Sequence, residues 1–128
     1  MSESDERAKG VLPLTEATFY VLVSLVEPRH GYGIMQNVAA LTGGAVRVGP
    51  GTLYGALTNL LKQGLIERAG DDDAEGERRK VYALTAHGRA VVLLECERLE
   101  TMARTARAAA ERIRETDKDN NGPKETVS

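Results

Sequence analysis

The sequence predicts a mainly α protein with a two-stranded β-wing: a winged helix-turn-helix followed by a long C-terminal helix. Three observations carry that expectation. Short helical patterns are joined through Gly43-Gly44, two β-prone runs follow at Leu65 to Ala69 and Lys80 to Leu84, and a helical pattern from Thr85 to about Glu115 comes last. Helices in tight succession, then a ribbon, then a long helix is the order of a winged helix-turn-helix. The 128 residues suffice for one domain with a real core but not for two independent ones.

Each element has its own signal. Residues 1–10 are polar without apolar periodicity and read as a flexible arm. Thr15 suits an N-cap ahead of Glu16. Leu14, Val21 and Leu25 form one apolar row of that helix and Phe19, Leu22 and Val26 a second, so it should be buried on more than one side. Pro28 stops it. A second helix is expected from Tyr32 to Thr42, with Ile34, Val38 and Leu41 on one face. After Gly49-Pro50-Gly51 a third points Leu53, Leu57, Leu60 and Leu61 inward. Gly64 fits the left-handed position past its end, with Leu65 packing back on Leu60 in a Schellman motif. The connection from Gly70 to Arg79 is too long for a two-residue hairpin turn. Thr85 caps the last helix, and the polar stretch 116–128 reads as a disordered tail. The winged domain then covers residues 11–85 and the last helix residues 86–115.

Along that helix Val92, Cys96, Leu99, Ala103, Ala106, Ala110 and Ile113 recur in a heptad pattern, flanked by charges that include Glu95, Glu97, Arg98 and Glu100. At 1.5 Å per residue the helix spans roughly 45 Å, more than one small core needs. The pattern predicts homodimerisation, with the first helix adding to an interface whose three alanines bury little area. The alternative is a helix folded back along its own domain.

Catalytic chemistry finds little footing. His30 and His87 are the two histidines and Cys96 the one cysteine. None stands in a HExxH, CxxC or HxH spacing, so no metal or cofactor is expected. Cys96 falls on the heptad seam and is expected to be buried rather than nucleophilic. Gly49-Pro50-Gly51-Thr52 lacks the ending of a phosphate loop and reads as a stiff helix start. A single cysteine, no apolar run long enough for a membrane and a polar acidic start suggest a reduced cytoplasmic protein.

The charge needs dissection. Seventeen Lys plus Arg against 19 Asp plus Glu give −2, which taken whole argues against a nucleic-acid partner. Between residues 11 and 84, however, 7 cations meet 8 anions, and five of those anions lie in 71–77. Outside that acidic stretch 7 cations face 3 anions, a surplus of +4. The third helix would offer Thr52, Gly55, Thr58 or Asn59, and Lys62 on its solvent face, small polar groups that approach a major groove closely. Tyr54 could reach a phosphate with its hydroxyl. Arg78-Arg79-Lys80, the one run of three cations, would lie against the flanking phosphate backbone or minor groove, the alternative being a solvated strand edge kept charged against edge pairing. Asp71-Asp72-Asp73 would be repelled, so the ribbon tip should stay out of a groove. The alternative reading is a winged-helix protein–protein interaction module without direct DNA readout.

Several segments together resemble the PadR family of bacterial transcriptional regulators, over roughly residues 12–99. They are Leu14-Thr15-Glu16-Ala17, His30-Gly31-Tyr32-Gly33-Ile34, Gly51-Thr52-Leu53-Tyr54-Gly55-Ala56-Leu57, Leu60-Leu61-Lys62-Gln63-Gly64-Leu65-Ile66 and Arg79-Lys80-Val81-Tyr82-Ala83-Leu84-Thr85. One C-terminal helix in place of a second helical domain resembles the smaller PadR subfamily. The resemblance implies a homodimeric repressor on a palindromic operator in double-stranded DNA, released by a small hydrophobic or aromatic effector. It implies that Tyr32, Thr52 and Tyr54 lie at the DNA face and that Arg79 and Lys80 belong to the wing. Phe19, Val23, Val92, Cys96 and Leu99 would line any effector pocket between subunits, and they read equally well as plain core. Two features depart from the family pattern: the acidic wing, and the absence of tryptophan with only 4 Tyr and 1 Phe to stack on a flat ligand.

Overall fold

The computed structural model describes residues 3–72 and 79–127. Its elements run α1 (Glu3–Val11), α2 (Glu16–Ser24), β1 (Arg29–His30), α3 (Gly31–Leu41), α4 (Pro50–Lys62), β2 (Ile66–Asp72), β3 (Arg79–Leu84) and α5 (Ala86–Val127). Two compact units result, one ending at Glu95 and one beginning at Cys96. The first holds the core, where Val21, Leu22, Leu25, Ile34, Val38, Leu53, Leu57, Leu60, Leu65 and Val91 are all buried.

Local chemistry sets most helix ends. Thr15 caps α2 by accepting the Thr18 N–H at 3.2 Å. Thr85 caps α5 by accepting the Gly88 N–H at 3.0 Å, while its own hydroxyl donates to the Gly64 carbonyl at 2.6 Å. At the end of α4 the Leu65 N–H reaches the Leu60 carbonyl and the Gly64 N–H the Leu61 carbonyl, with Gly64 at φ 73°. That pair of bonds is the Schellman motif expected there. The end of α3 repeats it: Gly44 N–H bonds the Ala39 carbonyl and Gly43 N–H the Ala40 carbonyl. Thr42 pins the turn that follows, donating to the Val38 carbonyl at 2.9 Å and accepting the Val46 N–H at 3.0 Å. α3 and α4 are the helix-turn-helix pair.

The sheet differs from expectation. It has three strands in the order β1-β3-β2, both pairings antiparallel. The added strand is only two residues long, too short for an alternating pattern to announce it. In the β2–β3 pairing the register shifts between Arg68 and Gly70, with Gly70 at φ 116°. Such a bulge bends the ribbon.

Other expectations are corrected. The flexible arm is helical over Glu3–Val11: Ala8 is fully buried in the core, and Val11 and Leu12 pack against that core. Glu, Arg, Ala and Lys are good helix formers, and so few apolar residues left no period to read. α5 continues to Val127 instead of ending near Glu115. Extending a formed helix needs no new nucleus, even through the polar stretch read as a disordered tail. Val26, Leu41 and Leu61 are exposed, not inward. Leu61 sits about 80° around α4 from Leu60's neighbour Leu53, beyond the buried stripe, at 100° per residue.

Candidate nucleic-acid interface

α4 buries Leu53, Leu57 and Leu60 and leaves Gly51, Thr52, Tyr54, Gly55, Thr58, Asn59, Leu61 and Lys62 exposed. Its N-terminus has no side-chain cap, and Pro50 in the first turn removes one of the N–H groups that would lack an intrahelical partner. Tyr54 leans from this face toward the start of α3. A Cβ added at Gly31 would stand 2.8 Å from the Tyr54 hydroxyl, so only glycine lets the ring lie there.

β1 and β3 complete the wall. His30 ends β1 and is at once the N-cap of α3, its Nδ1 accepting the Gly33 N–H at 3.0 Å. β1 pairs with β3 through His30 opposite Val81. That brings the Arg79 guanidinium within 3.4 Å of His30 Nε2. Arg29 is held away from this group, donating from Nε to the Ser24 carbonyl at 2.8 Å.

The result is a cleft of about 610 Å³ lined by His30, Gly31, Tyr32, Tyr54, Thr58, Arg79, Lys80 and Tyr82. Among the described residues that line it none is acidic, Arg79 and Lys80 are basic, and Tyr32 and Tyr54 are each about half exposed. Hydroxyls and cations converging in an open cleft bind an anionic chain of repeating phosphates well.

The sequence-derived residues divide accordingly. Tyr32, Tyr54, Arg79 and Lys80 come together in the cleft. Thr52 and Lys62 are exposed on the outer face of α4 without lining it. Asn59 lines a separate small cavity with Leu14, Thr15, Thr18 and Gln63. One residue earlier, Thr58 faces the cleft, its hydroxyl donating to the Tyr54 carbonyl at 2.9 Å. Arg78 lies outside the described residues. His30 also lines the cleft, a place that its lack of a metal-ligand spacing does not predict. Its signal was present in a residue able to cap the helix that opens at Gly31.

The effector-pocket residues divide between the units. Phe19, Val23 and Val92 are half-buried in the first, and Phe19 meets Tyr20 edge-on with ring centroids 5.3 Å apart. Cys96 and Leu99 are exposed in the second, so the thiol expected to be buried is open within one chain. Cys96 Sγ donates to Glu100 Oε1 at 3.5 Å, and that bond and the Glu100 charge raise the thiol above its ordinary pKa. Of the heptad seam, Ala103, Ala106 and Ile113 are exposed, and Ala110 is half-buried. Among the described residues, no helix is long and apolar enough to cross a membrane.

Comparison with known proteins gives the same frame. The family described as "Transcriptional regulator PadR-like family" matches residues 20–93. An uncharacterised protein X from Lysinibacillus sphaericus is 33% identical over 66 residues, which make up 52% of this chain and 61% of that one. The chain thus matches about three fifths of the length of this curated relative. A transcriptional regulator from Clostridium thermocellum superposes with a TM-score of 0.62 at 25% identity, covering 80% of this chain and 96% of its own. Two others share the fold. A PadR family regulator from Eggerthella lenta has a TM-score of 0.61 at 24% identity, covering 83% and 87% of the two chains. A PadR-like regulator from Bacillus cereus has a TM-score of 0.63 at 22% identity, covering 82% and 96%.

Proposed function

This chain belongs to the PadR-like family of transcriptional regulators, and from that premise we propose that it is a homodimeric repressor of a palindromic operator. Members of that family are transcriptional regulators, which supports reading the chain as a DNA-binding regulator. The finer reading is supported above all by the cleft, where Tyr32, Tyr54, Thr58, Arg79 and Lys80 face one open groove beside the exposed face of α4. In this proposal α4 enters the major groove and the wing grips the flanking backbone. Two such subunits would place their helices about 34–36 Å apart, one turn of DNA.

The dimer has its own support. Apart from Arg98 and Ala110, every residue from 96 to 120 is exposed in the single chain, including Leu99, Met102 and Ile113. A helix that buries so little is marginal alone, and a second copy of the same seam would cover it. Sedimentation as a stable monomer at micromolar concentration would overturn this part. Release by a small hydrophobic or aromatic effector belongs to the proposal on the strength of the family resemblance.

The test is fluorescence anisotropy with DNA from the chain's own upstream region, repeated over a salt series. Affinity should fall steeply with salt through counterion release. Arg79→Ala removes one phosphate contact per subunit, and the slope of log K against log salt should flatten by about 2 per dimer. Lys62→Ala should weaken all sequences alike, and Thr52→Ala should alter sequence preference. Salt-independent binding, or none, would favour a protein–protein module instead.

A further inference from the structure

The cleft contains a pair of donors whose arrangement goes beyond a general positive surface. His30 Nδ1 accepts the Gly33 N–H at 3.0 Å. A backbone N–H can only donate, so Nδ1 carries no proton and the ring's proton sits on Nε2. Nε2 itself lies 3.4 Å from Arg79 Nη1, which is also a donor and never an acceptor. The cap at the start of α3 thus fixes the tautomer, and β1–β3 pairing sets the guanidinium beside it. Both side chains also have further interactions.

We propose that His30 Nε2–H and Arg79 receive one oxygen of a backbone phosphodiester, making His30 a DNA-binding residue. Two donors meeting at one point favour an acceptor with several lone pairs and a negative charge, and a phosphate oxygen has both. The Tyr54 hydroxyl, held over Gly31, and Lys80 border the same cleft and would serve the neighbouring phosphate oxygens. His30 contributes a neutral hydrogen bond and Arg79 a charge. They therefore leave different marks on binding. This rests on the reading of the chain as a DNA binder.

Two substitutions separate the roles of the ring nitrogens. Asparagine places an acceptor where Nδ1 stands and is a good N-cap, but it has no distal donor. Glutamine reaches the Nε2 position and gives up the cap. His30→Asn should unfold at the wild-type temperature, bind specific and nonspecific DNA about tenfold more weakly, and keep the wild-type salt slope. His30→Gln should hold affinity within about threefold. In the Arg79→Ala background, His30→Asn should cost much less than tenfold, because the shared oxygen is already half-lost. Wild-type affinity for His30→Asn, or full additivity with Arg79→Ala, overturns the pair and leaves the DNA-binding reading intact. Failure of the wild-type protein to bind any duplex removes both.

Discussion

Glu95 offers a stringent test of how the first unit is held together. Its position beside the heptad seam predicts a solvated charge, yet it is 1% exposed. Its Oε2 accepts the Leu14 N–H at 2.8 Å, across 81 residues of sequence. Leu14 precedes the N-cap of α2, so this bond ties the start of that helix to α5. Glu95→Ala removes a charge-assisted bond worth about 1.5–3 kcal/mol and strands a partly buried N–H. Truncating the buried side chain also leaves a void, which brings the expected loss to roughly 3 kcal/mol. At about 4 °C per kcal/mol for a unit of this size, the melting temperature should fall by roughly 12 °C. Glu95→Gln keeps a carbonyl acceptor and should lose about half as much. Glu95→Leu fills the space but leaves the N–H unpaired, so it should rescue only the void. Thermal unfolding followed by circular dichroism reads all three. An alanine variant melting within about 2 °C of wild type would refute the argument.

Further outcomes follow from the same geometry. A Cβ at Gly88 would overlap the Leu65 carbonyl, which also accepts the Thr85 N–H, so Gly88→Ala should cost about 2–4 kcal/mol in urea unfolding. Gly55 is the opposite case: a Cβ there meets nothing within 4 Å. Gly55→Ala should raise stability by about 1 kcal/mol through helix propensity while weakening DNA binding, because the methyl group enters the space a groove would occupy. Equal DNA affinity would place that part of α4 outside the interface. The Cys96 thiol is held above its ordinary pKa by Glu100, so less of it is thiolate at a given pH. Alkylation by iodoacetamide at pH 8 should be slower than for a free cysteine, and Glu100→Gln should speed it. Equal rates for the two proteins would discount the Glu100 contact.

The sequence alone determined what rests on bonds between near neighbours. The caps at Thr15 and Thr85 span three residues, and the Schellman end at Gly64 spans three to five, whereas Gly43-Gly44 announced only a break. Their residue types carry the signal directly. The helix-turn-helix order, the ribbon and the PadR-like resemblance are legible for a related reason: each is a run of local patterns in sequence order. Tertiary structure decided the rest. β1 exists because Arg29 and His30 lie beside β3, some fifty residues on, and two residues hold no periodicity of their own. Whether Thr58 or Asn59 faces the cleft depends on the rotation of α4 against the core, which a 100° step per residue makes decisive. Glu95 is buried by a backbone N–H from the far end of its unit. The net charge of −2 belongs to both accounts. Counting by segment freed the winged domain from it, but only the pairing of β1 with β3 brought His30 and Arg79 to one point.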